Sequence, residues 1–181
     1  MIRRCQTGQL KMLEVLIQRY KDPLYHFCLH LCKGKSAADD LFQDTWVRVL
    51  ANIQRLDPDR PFKTWLFTVA ANLYKDRWRK RKRWLEMVKD YHIADVLEQQ
   101  LANLVADTPA PDQDILDYEQ ASELRRCLET LSDNLRIPVI LYYFQELTVQ
   151  EISQVLGIPP GTVKTRLHSA RGKLKTLLEV T

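Results

Sequence analysis

Apolar positions recur every three to four residues through the first 84 residues, fade, and return near residue 118. Leu10 to Tyr20 and Leu24 to Cys32 read as helices, with Pro23 opening the second, where its missing N–H costs nothing. Gly34 ends that helix, and Ser36 with Asp39 forms an S-x-x-D capping signature for the next. The next helix carries one apolar stripe, Leu41, Phe42, Thr45, Trp46, Val49, Leu50 and Ile53. Opposite lie Asp39, Asp40, Gln43, Asp44 and Arg48. These acids suit either a solvated helix start or a partner surface, and the pattern leaves both open. Arg55-Leu56-Asp57-Pro58-Asp59-Arg60-Pro61 follows as an irregular exposed loop. A long helix then begins, with Phe62, Trp65, Leu66, Val69, Ala70 and Leu73 as its core stripe. Thr68, Asn72, Lys75 and Arg79 make a second stripe at i, i+4, i+7 and i+11.

Residues 85–117 lose this periodicity and contain Asp107-Thr108-Pro109-Ala110-Pro111-Asp112, a breaker cluster typical of a linker. The pattern resumes with helices over Glu119 to Leu131 and Arg136 to Gln145. Leu124, Cys127, Leu128 and Leu131 line the first, and Ile137, Ile140, Leu141 and Phe144 the second. Leu147 to Lys175 (LTVQEISQVLGIPPGTVKTRLHSARGKLK) is the most explicit segment. Thr148 and Glu151 form a capping box, and Leu147 and Ile152 stand at the positions of a hydrophobic staple. Gly157 ends this helix, and Pro160 opens another. Val163, Leu167, Ala170 and Leu174 face inward. Lys164, Thr165, Arg166, His168, Ser169 and Arg171 are left outside. This is the layout of a helix-turn-helix whose second helix enters a DNA major groove.

Charge sharpens the picture. The net charge of the 181 residues is only +4, yet Lys75 to Arg83 (KDRWRKRKR) holds seven cations in nine positions. Such a cluster suits nucleic acid or an acidic membrane surface. Trp78 and Trp84 interleave with it, as core residues or as faces on which exposed bases stack. No stretch reaches the roughly 18–20 apolar residues of a membrane span, and the N-terminus lacks a signal-peptide core. A cytoplasmic protein with reduced thiols is therefore expected. Cys28 and Cys32 alternate with His26 and His30, but on a helix the two pairs lie roughly 200° apart. No shared metal is expected. An enzyme would need converging carboxylates or a positioned nucleophile, and Asp39, Asp40 and Asp44 sit at a helix start instead.

Three stretches then carry a family resemblance: SAADDLFQDTWVRVLANI, FKTWLFTVAANLYKDRWRKRKR, and LETLSDNLRIPVILYYFQELTVQEISQVLGIPPGTVKTRLHSARGKL. In this order they resemble a bacterial extracytoplasmic-function (ECF) sigma factor of the sigma-70 family, the minimal type with regions two and four only. The resemblance implies an all-α fold of two small helical domains: region two over 1–84, a flexible linker over 85–117, and region four over 118–181. It implies that Asp40, Gln43, Asp44, Val47 and Arg48 bind the clamp of core RNA polymerase. The Arg55 to Pro61 loop, with Leu56, Asp57, Asp59 and Arg60, matches the loop that captures a flipped base of the minus-ten promoter element, and Asn72 lies near that pocket. Lys75, Asp76, Arg77, Arg79 and Arg81 fall beside it, the cations on phosphates. Thr162, Lys164, Thr165, His168 and Ser169 would face the minus-thirty-five element, with Arg166 and Arg171 on phosphates. His168 and Ser169 depart from the bulkier or cationic residues common in relatives.

The implied partners are core polymerase, promoter DNA and an anti-sigma factor, often membrane-anchored. No cofactor, small-molecule substrate or catalytic residue is implied. A stand-alone helix-turn-helix regulator is the alternative, though it needs no second DNA-facing helix. Promoter elements two helical turns apart demand a separation of about 70 Å. A free linker of about 33 residues averages only about 30 Å but extends to about 110 Å. The free protein is therefore expected to be compact, with polymerase spreading its domains.

Overall fold

A computed structural model of the chain describes residues 2–6, 10–89 and 126–178. The breaker cluster at 107–112, Leu124 and the first turns of the helix expected from Glu119 lie outside the described residues. Every regular element described is helical. In chain order these are α1 (Ile2–Gln6), α2 (Leu10–Leu31), α3 (Lys35–Asn52), a 3-10 turn (Ile53–Arg55) and α4 (Phe62–Lys89). Residues 126–130 form the described part of α5. Then come α6 (Asp133–Val139), a π-helical turn (Ile140–Phe144), α7 (Val149–Leu156) and α8 (Pro160–Leu178).

The first half packs α2, α3 and α4 around Leu24, Phe27, Leu31, Leu41, Leu66 and Phe67, all fully or nearly fully buried. Phe27 and Phe67 meet edge-on at 5.1 Å between ring centres, a favoured aromatic geometry. The expected break at Pro23 does not occur: Leu10–Leu31 is one helix with Pro23 inside it. Packing of Leu16, Leu24 and Phe27 on both sides of the proline holds the helix through the lost hydrogen bond. The Ser36/Asp39 capping signature is not realised either. Gly34, at φ 95°, is the N-cap of α3 and contributes no side chain. Asp39 instead accepts a 2.8 Å hydrogen bond from the Tyr25 hydroxyl. The stripe of α3 is narrower than expected, since Leu50 is exposed. The stripe of α4 is displaced: Thr64, Phe67 and Ala71 are buried, while Trp65, Val69 and Leu73 are half-buried.

The second half packs α6 and α7 against α8 through Ile137, Ile140, Leu141, Ile152, Val163, Leu167 and Ala170. Its second helix starts earlier than expected, at Asp133, and carries Pro138 in its interior. Proline cannot donate to the preceding turn, and the helix widens into the π turn directly afterwards. The Gln145 N–H reaches back five residues to the Ile140 carbonyl at 3.2 Å. Glu146 then takes a left-handed φ of 52°, uncommon outside glycine, and ends the element.

The helix-turn-helix forms as its sequence implies. The Thr148 side chain accepts from the Glu151 N–H, and the Glu151 carboxylate accepts from the Thr148 N–H at 2.8 Å. Leu147 and Ile152 are buried. Gly157 is left-handed at φ 64°.

The two halves are not separate in space. The face of α4 packs on α7, and α2 meets the π turn. His30 stacks near Phe144 with ring centres 4.2 Å apart. Lys63 donates 2.6 Å to the Gln145 carbonyl at the exit of the π turn.

Candidate nucleic-acid interface

Three surfaces gather the residues singled out by the sequence. The first is a cavity of about 440 Å³ between α3, the 55–61 loop and the start of α4, lined by Arg48, Asn52, Arg55, Leu56, Asp57, Arg60, Trp65 and Val69. Its chemistry is mixed. Trp65, Leu56 and Val69 give apolar walls, and the remaining residues give donors and acceptors. A flat, edge-polar ligand suits such a lining. The loop is tightly organised despite its exposure. Asp57 accepts from the Asp59 N–H at 3.0 Å, forming an Asx turn, and pairs with Arg60 at 3.5 Å.

A brace that sequence reasoning missed holds this loop from behind. The Gln6 amide donates to the Ile53 and Leu56 carbonyls at 3.0 and 2.6 Å, and Arg3 reaches Asp59 at 2.8 Å. A five-residue helix at the chain start offers no periodic signal from which to infer it. Asn52, Trp65 and Val69 were also not picked out as site residues. Asn72, expected near the pocket, is exposed on α4 and does not line the cavity.

The second surface is the cationic flank of α4. A cavity of about 440 Å³ is lined there by Asp44, Arg48, Leu73, Asp76, Arg77, Arg79, Lys80 and Arg83. Arg77 is not available to a phosphate in this arrangement. It is paired with Asp44 and donates to the Asp40 carbonyl at 3.0 Å, so it joins α4 to α3. Asp76 pairs with Arg79 at 3.4 Å. Arg81 is exposed. Lys82 lies 5.9 Å over the ring of Trp78, itself exposed like Trp84. On α3, Asp40, Gln43, Asp44, Val47 and Arg48 do share the outward face, and Val47 is 65% exposed. Arg48 lines both cavities, so this face runs on from one to the other.

The third surface is α8. Lys164, Thr165, His168, Ser169 and Arg171 are exposed, and Thr162 and Arg166 are half-buried. The Thr165 hydroxyl donates back to the Gly161 carbonyl at 3.0 Å. Arg166 acts across the inter-region boundary. Burial, and then the nearby cations Arg166 and Arg79, hold the Lys75 ammonium below its ordinary range.

Family models match both halves: Sigma-70 region 2 over residues 16–84 and Sigma-70 region 4 over residues 121–174. The chain is 32% identical to the ECF RNA polymerase sigma factor SigW of Bacillus subtilis, over 98% of this chain and 94% of that one. It is 33% identical to SigM of the same organism, over 91% and 94%. Among solved structures, the sigma factor RpoE in complex with the anti-sigma factor NepR from Bartonella quintana matches with a TM-score of 0.72 and 25% identity, over 94% of this chain and 98% of that one. CnrH in complex with the cytosolic domain of CnrY shares the fold, at TM-score 0.72 and 22% identity. A lone helix-turn-helix regulator would not account for the first half, and the matches span both halves in order. The chain thus belongs to the sigma-70 family, among the ECF RNA polymerase sigma factors.

Proposed function

We propose that this sigma factor reads its promoters with two helical regions, 1–84 and 118–181, tethered by residues 85–117, and that it does no chemistry of its own. It directs core RNA polymerase to promoters and helps open them for initiation. The observation that carries the opening step is the cavity between Arg48, Asn52, Arg55, Leu56, Asp57, Arg60, Trp65 and Val69. A base extruded from the minus-ten element meets apolar walls for its faces and polar groups for its edge there. Extrusion costs a few kcal/mol, which such a pocket helps to offset. Asn72, Lys75, Arg79 and Arg81 hold the adjacent strand. Arg77 positions α4 against α3, and Asp59 keeps the loop in place through Arg3.

In the upstream element, Thr162, Lys164, Thr165, His168 and Ser169 face the groove, while Arg166 and Arg171 hold phosphates. Each good base contact is worth roughly 1–3 kcal/mol of discrimination. Asp40, Gln43, Asp44, Val47 and Arg48 meet the polymerase clamp. An anti-sigma factor, membrane-anchored in our reading, holds the protein inactive in the cytoplasm. No described helix is long and apolar enough to cross a membrane.

Run-off transcription with core polymerase on promoter libraries tests the reading. Trp65→Ala and Asn72→Ala should slow promoter opening more than closed-complex formation. Lys164→Ala should weaken the upstream element. Unchanged transcription by all three variants would refute these residue assignments.

A further inference from the structure

The cavity beside the 55–61 loop is rich in side-chain donors and poor in acceptors. Arg48, Arg55 and Arg60 bring cations to its lining. Its acidic side chain, Asp57, is committed to the loop. Oδ1 accepts from the Asp59 N–H at 3.0 Å, and Oδ2 faces the Arg60 guanidinium at 3.5 Å. Asn52 is the other side chain of the lining that carries an acceptor oxygen.

The amide of Asn52 is held in one orientation. Its Nδ2 donates to the Arg48 carbonyl, one turn earlier on α3, at 2.8 Å. An asparagine amide has one donor end and one acceptor end. With the donor end turned to the helix, Oδ1 is the atom left for the cavity. Asn52 is the last residue of α3 and is half-buried. A short side chain anchored at a helix end has little freedom left, whereas an arginine reaches its partner on a long stem with many rotamers. Asn52 is therefore the fixed reference of the cavity, and the arginines adjust to it.

A base turned out of the stack is read on its Watson–Crick edge. At the major-groove end of that edge, adenine and cytosine carry an amino group, whereas guanine and thymine carry a carbonyl oxygen. An amino group donates to Oδ1. A carbonyl oxygen in the same place would meet it as a second acceptor, and both would lose their partners to water. The ring nitrogen beside the amino group is itself an acceptor, and it suits a guanidinium of Arg48 or Arg55.

We propose that Asn52 is a specificity-determining residue of this cavity, and that its Oδ1 selects adenine or cytosine over guanine or thymine as the extruded base. This rests on the base-capture reading above and adds the class of base that the cavity takes. The full chain with core polymerase provides the test. Run-off transcription on a library randomised through the minus-ten element, with the products sequenced, reads the base preference position by position. One position should favour adenine and cytosine by about tenfold, the size of one specific base contact. Asn52→Leu has similar bulk and no polar end. It should erase that preference and leave the other positions and the upstream element unchanged. Asn52→Asp keeps an acceptor and should keep the preference. Unsubstituted purine in place of adenine at that position removes the amino group alone. It should lower the open-complex yield of the wild-type chain about tenfold and leave that of Asn52→Leu unaltered.

A wild-type chain with no such position overturns the proposal. So does an Asn52→Leu profile equal to that of wild type, or one flattened evenly at every position, which marks a merely structural role. Should Asn52→Leu fail to fold, the purine substitution with the wild-type chain decides alone, and an unchanged yield overturns the proposal. The base-capture reading is judged separately by Trp65→Ala, which removes a wall of the cavity. Opening slowed by Trp65→Ala with no preference traced to Asn52 sinks the specificity proposal and leaves base capture standing. Opening unaffected by Trp65→Ala sinks base capture itself, and the proposal with it.

Discussion

Adding one methyl group to Gly157 and one to Gly172 should change stability in opposite directions. Neither added Cβ would find any heavy atom within 4 Å, so neither substitution creates a clash or a useful contact. The difference is in the backbone. Gly157 sits at φ 64°, in the left-handed region that ends α7. A side chain there costs about 1–2 kcal/mol. Gly172 lies inside α8, at ordinary helical geometry. Alanine there restricts the unfolded chain and should stabilise by about 0.5–1 kcal/mol. The two variants should therefore differ by about 2 kcal/mol, although the methyl enters open space in both. Urea unfolding followed by circular dichroism measures this. With a slope near 2 kcal/mol per molar, the midpoints should separate by about 1 M on either side of wild type. Gly157→Asn should recover part of the loss, because asparagine tolerates the left-handed region. Equal midpoints for the two alanine variants would refute the view that Gly157 is required by φ alone. A Gly157→Asn variant as unstable as Gly157→Ala would refute it as well.

Gln6→Ala should loosen the 55–61 loop by removing donors to the Ile53 and Leu56 carbonyls, a loss of about 1–2 kcal/mol. Promoter opening, followed by permanganate footprinting, should slow while binding to the upstream element is unchanged. Thr148→Ala removes the acceptor half of the capping box and should cost about 1 kcal/mol in a urea titration. Stability should also fall on the alkaline side. Burial, then the nearby Cys32, raises the Cys28 thiol well above its ordinary range, and burial also raises the Tyr74 hydroxyl. Both groups are neutral when folded and ionise first in the unfolded chain. Their contribution is complete below about pH 9 and declines above it, by up to about 1.4 kcal/mol per pH unit for each ionising group. Urea midpoints between pH 8 and 10.5 measure the decline, and Cys28→Ala should flatten it.

Local chemistry was the most legible part of the sequence. The capping box, the staple, Gly157 and Pro160 each act within one or two turns, so α7 and the start of α8 could be read directly. Tertiary overrides were not legible. Pro23 reads as a helix start from local rules, yet a core on both sides of it keeps α2 whole. Ser36 and Asp39 have the right spacing for a cap, but Tyr25, eleven residues before Ser36, claims Asp39. The core stripe of α4 was assigned about one side chain out of register, because two surfaces cover that helix. Thr64 and Ala71 are buried, and α4 packs on α7 as well as on α2 and α3. Asn52, Trp65 and Gln6 reach the cavity beside the 55–61 loop, or the loop itself, from separate elements, and no spacing along the chain brings them together. Arg136 was invisible for a related reason. A single arginine between apolar residues reads as a surface cation, and its bonds to Asp133 and Tyr74 make its burial tolerable.

The closed arrangement and promoter reading exclude each other on geometric grounds. Packed helices lie about 8–10 Å apart, whereas two elements two turns apart on DNA need their readers about 70 Å apart. In the packed arrangement burial, and then the nearby cations Arg166 and Arg79, hold the Lys75 ammonium below its ordinary range, while Tyr74, Asp133 and Arg136 bond to one another across the boundary. A partner that binds only the separated form must supply at least the free energy of these contacts.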